Sequence, residues 1–298
     1  LGFSAMVFFG LYGLTRKFVH TVFLEYLLDM GIGALFTSLL IYYFFMEDFH
    51  FSVSKTLVYF LSGLIWYIGT LCWTKSIDYI GFGSSVPIKN TNGVISALYG
   101  IIIFNEYSWE KPLSLFYFLI GGVLVVGSAI ILGRLSSDTE GEIVSDKNLK
   151  KGVFLALGAA VGHASYTLPG RILLGQADWG VDFFVLTILG IFLASLIGYL
   201  GISPRVRMRQ FLQTSIKEHL LGMLSGFLFA LAFFSLISSM NLVGMSVGML
   251  LANMNIVVAL PFSIVLLKEI SFDRHKKQIS VGLLTALAGT IFLALSKI

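Results

Sequence analysis

The residues best able to do chemistry stand together in one apolar stretch, 78–106. It holds an amine, two amides, a hydroxyl and a phenol, carried by Lys89, Asn90, Asn92, Ser96 and Tyr99. An unpaired polar group in apolar surroundings costs on the order of kcal/mol, so such a cluster normally marks a site. Groups of this kind bind ligands that are acidic or rich in hydroxyls. We therefore interpret the cluster as a candidate binding site.

A helix would bring most of this cluster to one face. All its members except Asn90 are separated by three, four and three positions. At about 100° per residue they fall on the same side of a helix. Pro87 removes a backbone donor just before them, so it is expected to kink the helix and free a carbonyl. Asn90 points elsewhere and is expected to bond a neighbouring helix.

Three carboxylates in other apolar segments could carry a proton: Glu25, Asp29 and Asp182. The first two are four residues apart on one helical face, and a carboxylate beside a membrane cavity suits proton coupling. Solvation at the membrane surface is the alternative for this pair. For Lys89 the alternative to ligand binding is a buried ion pair with Glu25 or Asp29.

Histidine and aromatic residues in further apolar segments are also candidates. His163 is followed one turn later by Tyr166, and it could relay protons, bond a ligand or only pack. Trp66 and Trp73 lie at helical spacing with Thr70 between them. Flat rings that face a polar cavity suit the apolar faces of sugars or aromatic ligands, although such stripes usually pack a core.

The composition predicts that these segments lie in a membrane. The 298 residues are 57% hydrophobic and 12% charged, with a mean hydropathy of +0.89, which is outside the range of a soluble domain. Cys72 is the one cysteine, which excludes an internal disulfide and a Cys-rich metal site. No catalytic, phosphate-binding, metal or cofactor motif occurs. We predict an integral membrane protein that is not an enzyme, uses no cofactor and binds no nucleic acid.

Hydropathy divides the chain into ten spans of about 18 to 25 residues, the length that crosses a bilayer. They lie near 2–19, 22–46, 55–77, 82–105, 113–133, 152–173, 182–202, 218–240, 244–267 and 279–296. The longest polar gap follows the fifth span. We therefore predict an all-α protein of ten transmembrane helices, with a first five-helix unit at 1–134, a cytoplasmic linker at 135–151 and a second unit at 152–298.

The two halves match each other in sequence, which predicts a repeat. A shift of 163 positions aligns Gly81/Gly244, Asn90/Asn253, Asn92/Asn255, Val94/Val257, Glu106/Glu269 and Ser108/Ser271 without a gap. A shift of 157 aligns Glu25/Asp182, Gly33/Gly190, Ser38/Ser195 and Tyr42/Tyr199. Because five is an odd number of spans, the repeat must be inverted in the membrane. Asn253 and Asn255 would then complete the site from the other half, with Ala252 in place of Lys89.

The charged and small residues predict orientation and packing. The net charge is +4, and the basic residues concentrate in loops after odd-numbered spans. The positive-inside rule then places those loops in the cytoplasm and both termini outside. Small residues in spans five and ten predict a scaffold or a homodimer face: Gly122, Gly127, Ala129, Gly282, Ala286 and Gly289.

Two short motifs resemble those of a known transporter group. The first span reads Phe9-Gly-Leu-Tyr-Gly-Leu-Thr-Arg-Lys17, and the fourth reads Val86-Pro-Ile-Lys-Asn-Thr-Asn92 followed by Ile103-Phe-Asn-Glu106. With two five-span repeats, the chain resembles the drug/metabolite transporter superfamily in its EamA-like form, and within it the sugar-uptake branch of glucose, ribose and rhamnose porters. The resemblance implies a central cavity lined by the first four spans of each half, and alternating access. Tyr12 of the first motif joins the candidate substrate-binding residues.

We therefore predict a secondary transporter of a small polar metabolite in the plasma membrane, driven by a substrate or proton gradient. Sugars are the first choice. Because of Lys89, organic anions are an alternative class of substrate, and amino acids are a further one. Either uptake or export is compatible with the sequence. A receptor-like or assembly subunit is a different class, but inverted repeats with matching polar residues serve two related conformations. A channel would want a continuous polar stripe, and the sequence has patches.

Overall fold

The computed structural model describes residues 1–45, 52–103, 112–135, 146–175, 180–201, 203–243, 248 and 251–296. Within these ranges the secondary structure is helical and no strand occurs. The predicted all-α class is therefore confirmed for the part of the chain that the structure describes. Glu106, a member of the predicted repeat, and most of the predicted linker lie outside the described residues.

Among the described residues, six helices are long and apolar enough to cross a membrane. They are α2 (Phe23–Phe45), α3 (Val53–Ile80), α6 (Pro112–Gly133), α9 (Val181–Leu200), α11 (Ile216–Val243) and α13 (Phe272–Leu295). These helices correspond to the second, third, fifth, seventh, eighth and tenth predicted spans. The last of them begins well before the predicted boundary at 279, because the hydropathy criterion excludes its charged first turns while the backbone is already helical there.

The four other predicted spans are interrupted. Their parts are α1 (Gly2–Leu11) with a 3₁₀ helix (Tyr12–Phe18), α4 (Phe82–Lys89) with α5 (Asn92–Ile102), α7 (Asp146–Ser165) with α8 (Leu168–Leu173), and α12 (Ile256–Val265) after a turn at 254–255. The described residues thus do not confirm ten continuous helices. Pro87 and Pro169 lie close to two interruptions, and proline removes a helical hydrogen bond. Averaged hydropathy cannot register a break of one or two residues.

A short basic helix, α10 (Pro204–Gln213), lies between α9 and α11 in the chain, where a loop was predicted. None of its residues is buried. It carries Arg205, Arg207 and Arg209 together with apolar side chains. That composition suits the boundary between membrane and water.

Two similar helix crossings surround the centre of the bundle: α2 packs against α11, and α3 packs against α9. Glycine permits both. A Cβ on Gly226 would stand 2.0 Å from the carbonyl oxygen of Met30, and one on Gly63 would stand 2.3 Å from that of Thr187. Both distances are far below van der Waals contact, so a larger residue cannot occupy either position without moving a helix.

Helices α6 and α13 pack against each other through their small residues. A Cβ on Gly282 would stand 2.4 Å from the Leu132 side chain, and one on Gly289 would stand 2.9 Å from the Val125 backbone nitrogen. This contact agrees with the predicted scaffold role of spans five and ten. Because Gly282 and Gly289 face the same chain, the predicted homodimer receives no support from them.

Candidate functional site

The interrupted helices converge on one central cavity. Each interruption contributes a lining residue beside its break: Tyr12, Asn92, Tyr166 and Asn255. The volume of the cavity is about 40 Å³, which is room for a few water molecules and too little for a sugar ring with its hydroxyls. Its described lining is Phe9, Tyr12, Trp66, Lys89, Asn92, His163, Tyr166, Phe233, Leu236, Ala252, Asn253 and Asn255.

The cavity brings together eight of the twelve predicted substrate-binding residues. They come from five of the ten predicted spans and are Tyr12, Trp66, Lys89, Asn92, His163, Tyr166, Asn253 and Asn255. Their grouping in one place is a finding, whereas their role in binding stays a prediction. Four apolar lining residues were not candidates, and no signal in the sequence separated them from ordinary core: Phe9, Phe233, Leu236 and Ala252.

Lys89 is buried in the cavity wall without a carboxylate partner. It closes α4, whose eight residues are all buried. Its Nζ lies 4.7 Å from the centroid of the Trp73 ring and 5.8 Å from that of Tyr12. No described carboxylate lies within salt-bridge distance of Nζ. The alternative of an ion pair with Glu25 or Asp29 is therefore not what the structure contains.

Asn90 links the two halves behind the cavity rather than lining it. Its Nδ2 donates to the carbonyl oxygen of Asn253 at 3.1 Å and to Oδ1 of Asn255 at 2.9 Å. The expected bond to a neighbouring helix is thus present. Asn92, on the cavity side of the same break, has a buried Oδ1 that no described group bonds. One asparagine therefore braces the site and the other offers it a free acceptor.

An aromatic wall closes one side of the cavity. The Trp66 ring lies 4.0 Å from the ring of Phe229 and 5.1 Å from that of His163, centroid to centroid. His163 is buried, and its Nε2 is 3.1 Å from Oγ1 of Thr70. Thr70 was noticed in the sequence only as a member of a stripe. The structure shows that Thr70 contacts the candidate histidine and that Phe229 packs against the candidate tryptophan.

Three predicted residues lie away from the cavity lining. Trp73 stands behind Tyr12, with ring centroids 4.7 Å apart. Ser96 and Tyr99 continue along α5, where the Tyr99 hydroxyl bonds Oγ of Ser165 at 2.9 Å. Ser96 and Tyr99 share α5 with Asn92 but lie about 6 and 10 Å further along its axis, beyond the end of so small a cavity.

Comparison with known proteins identifies the kind of molecule that contains this cavity. A family profile described as "Sugar transport protein" matches residues 1–296. The chain belongs to this family of sugar transporters. It is similar to the glucose uptake protein GlcU of Bacillus subtilis, at 27% identity over 91% of this chain and 88% of that protein. It is also similar to the probable glucose uptake protein GlcU of Priestia megaterium, at 28% over 91% and 89%, and to the putative sugar uptake protein lin0215 of Listeria innocua, at 23% over 91% and 88%.

In this sugar transporter, an integral membrane protein, Asp29 forms a buried pair with His219. The two carboxylate oxygens lie 2.9 and 3.0 Å from Nδ1 of the histidine, and Nε2 lies 2.9 Å from the carbonyl oxygen of Phe211. Both neighbours of the imidazole are acceptors when Asp29 is ionised. His219 must then carry a proton on each nitrogen.

Glu25 lies one turn before Asp29 and is also buried. It accepts hydrogen bonds from Oγ1 of Thr214 and, at 3.4 Å, from the hydroxyl of Tyr199. Both carboxylates are thus held by protein groups, and Glu25 also lines an open pocket at this end of the bundle. Asp182 lies in the first turn of α9. Since α9 brings Tyr199, at its other end, to Glu25, Asp182 stands at the opposite end of the transporter.

Ion pairs between separate segments close the end that carries Glu25. Arg16 makes two parallel bonds to Asp78, at 3.0 and 3.1 Å. Lys17 Nζ lies 2.8 Å from Oε1 of Glu269. The same carboxylate accepts the first two backbone N–H groups of α4, one on each oxygen, at 3.1 and 3.0 Å. The sequence did not predict these pairs, because their partners are far apart in the chain and each residue alone reads as a loop charge.

Proposed function

We propose that this transporter moves a monosaccharide across the plasma membrane by alternating access between two inverted repeats of five spans. The observation that carries the proposal is a cavity built where four helices are interrupted, the arrangement in which carriers bind substrate near the middle of the membrane. The relatives named as glucose uptake proteins make glucose the first substrate to test.

The residues that line the cavity suit a pyranose ring in two respects. Hydroxyl groups of a sugar could bond the amides of Asn92 and Asn255 and the imidazole of His163, which all line it. The C–H face of the ring could lie on the aromatic wall, where Trp66 and Phe233 reach the cavity. A small number of polar groups with an apolar surface is what fixes the orientation of a small ligand.

Matched contacts support the inverted repeat. A Cβ on Gly33 would stand 2.1 Å from the carbonyl oxygen of Met223, and one on Gly190 would stand 2.8 Å from that of Phe60. The shift of 157 carries Gly33 onto Gly190, and the shift of 163 carries Phe60 onto Met223. The same two shifts exchange the contact of Gly63 with Thr187 and the contact of Gly226 with Met30, which were described above. Chance similarity between apolar helices does not produce reciprocal contacts.

Helix directions support the same proposal. An inverted repeat makes equivalent spans antiparallel where they touch. Helices α2 and α9 touch at Gly31 and Ser195 and at Glu25 and Tyr199, which fits an antiparallel pair. Counting each interrupted helix as one span gives ten, in units at 1–134 and 152–298 joined by the linker at 135–151. This is the organisation expected of the drug/metabolite transporter superfamily in its EamA-like form.

The closed end and the small cavity indicate an occluded conformation. A sugar could reach the lining residues only after the halves separate, so alternate opening of the two ends would follow. We propose that the end with the ion pairs faces the cytoplasm, as the basic loops predict. In a Cys72→Ser background, Gln213→Cys on α10 should react with an impermeant maleimide only in inside-out vesicles. Reaction in intact cells would reverse the orientation.

We further propose that Asp29 and His219 carry the coupling proton. The pair holds one proton more than an ionised carboxylate with a neutral imidazole, wherever that proton resides. It lies at the closed end, so loss of the proton would weaken a contact between α2 and α11. Asp182 lies at the other end and remains a weaker candidate.

Transport by purified protein in liposomes tests the proposal. The wild type should exchange labelled glucose for internal glucose, and Asn92→Ala and Trp66→Ala should each lower the rate by about tenfold or more. Phe44→Ala is the matched control, since Phe44 is 74% exposed on the bundle surface. Absence of flux with every sugar tried, from demonstrably folded protein, would refute the proposal.

A further inference from the structure

A lysine side chain with no described counter-charge lies in the wall of the central cavity. Lys89 is 4% exposed, and its ammonium has aromatic rings for neighbours. None of the described residues lining the cavity is Asp or Glu. Taking an ammonium out of water without a partner is expensive, and contacts with ring faces offset only part of that cost. The site therefore lacks a negative group.

The buried carboxylates of the described chain cannot supply that group without breaking bonds of their own. Asp29 is held by His219, Glu25 accepts from Thr214, and Glu269 bonds the start of α4. Each of these acids lies in the closed end rather than in the cavity lining. No carboxylate among the described residues is thus free to pair with Lys89, and a ligand is the remaining source of negative charge that this part of the chain leaves open.

The other residues of the cavity wall indicate which chemical groups such a ligand carries. Ala252 occupies the position that corresponds to Lys89 in the other half, and both line the cavity. The positive charge is thus on one side only. The unbonded Oδ1 of Asn92 and the side chain of Asn255 lie along the same cavity and suit hydroxyl groups. A ligand that fills every role has one anionic group and several hydroxyls.

We infer that the site takes a monosaccharide bearing a single carboxylate, such as a hexuronate or an aldonate. This inference rests on the proposed function as a sugar carrier and specifies its substrate class. The carboxylate pairs with Lys89, and the hydroxyls bond Asn92 and Asn255. One ammonium matches one carboxylate, whereas the double charge of a sugar phosphate exceeds what it can neutralise.

Ligands of similar shape but different charge show whether the charge of the ligand decides binding. Glucuronate and glucuronamide differ by a carboxylate and an amide of similar size, and glucose and glucose 6-phosphate complete the set. Binding to the purified transporter is measured by thermal shift and by competition with labelled sugar. Wild type should bind glucuronate at least about tenfold more tightly than glucuronamide, glucose or glucose 6-phosphate.

Substitution of the lysine provides the second comparison. Lys89→Met keeps the length and removes the charge, so glucuronate should lose its advantage while the binding of glucuronamide changes less than about threefold. Lys89→Arg should retain most of the preference. In the absence of ligand, Lys89→Met should melt no lower than wild type, because it removes an unpaired charge from an apolar site.

The outcomes distinguish this inference from the function on which it rests. Equal binding of glucuronate and its amide, or tighter binding of neutral glucose, would overturn the carboxylate while leaving sugar transport intact. Tightest binding of glucose 6-phosphate would also overturn it. If no sugar of any charge binds folded wild type, the proposed function itself fails.

Discussion

Replacing Glu269 should destabilise the transporter far more than replacing its ion-pair partner. The carboxylate accepts the N–H groups of Phe82 and Gly83 at 3.1 and 3.0 Å, at the positive end of a helix dipole. Glu269→Ala would leave two buried backbone donors unbonded, each worth about 1–3 kcal/mol. Lys17 is 31% exposed, and pairs of this kind contribute about 0.2–1 kcal/mol. We expect losses of about 3 kcal/mol for Glu269→Ala and at most about 1 kcal/mol for Lys17→Ala.

Thermal unfolding in detergent measures the difference. At about 2 °C per kcal/mol for a chain of this size, Glu269→Ala should lower the Tm by about 6 °C and Lys17→Ala by about 2 °C or less. Glu269→Gln is the control, because its amide oxygen can accept one N–H but not both, and it should fall between them. If Lys17→Ala lost as much as Glu269→Ala, the ion pair and not the helix terminus would hold this residue, and the reasoning would be refuted.

Further predictions concern packing, coupling and the brace between the halves. Gly226→Ala should abolish expression of folded protein, as judged by size-exclusion chromatography. Gly127→Ala should be neutral, because a Cβ there meets nothing within 4 Å. Normal folding of Gly226→Ala would contradict the close approach of the two helices. Asp29→Asn or His219→Gln should abolish uptake driven by a proton gradient yet retain exchange of sugar, and equal loss of both activities would reject a coupling role. Asn90→Ala should lower the Tm by an amount equivalent to about 2 kcal/mol, since two acceptors lose their donor; an unchanged Tm would show that the brace is dispensable.

The sequence predicted those features of the fold that depend on composition along a span. The six long helices were predicted because each is a run of apolar residues longer than the bilayer requires. The interruption at residues 254–255 was not, and only a kink near Pro87 was expected where the fourth span breaks at residues 90–91, since a break of two residues hardly changes a hydropathy average. Polar residues marked those places, however, because Asn90, Asn92 and Asn255 have to satisfy or replace the hydrogen bonds that the helix gives up.

The sequence predicted which residues form the candidate site better than it predicted how they are arranged. Lys89 and Asn92 line the cavity, as their polarity in an apolar stretch suggested. Ser96 and Tyr99 follow the same periodicity but lie elsewhere, because they stand one and two turns further along α5 than Asn92, beyond the end of the cavity. The partners of Asp29 and Glu269 come from distant parts of the chain. Pairing of that kind depends on tertiary contacts, which no local pattern in a single sequence reports.

The closed end combines strong and weak contacts, and their division indicates which of them open during transport. Lys17 is 31% exposed and pairs with Glu269, and such a pair is worth about 1 kcal/mol or less. Arg16 is 10% exposed and makes two parallel bonds to Asp78, so that pair is stronger. A switch between two conformations needs differences of only a few kcal/mol. The bonds from Glu269 to the start of α4 are buried and several times stronger than the Lys17 pair. We therefore expect the Lys17–Glu269 pair to separate in each cycle while Glu269 and α4 move as one unit.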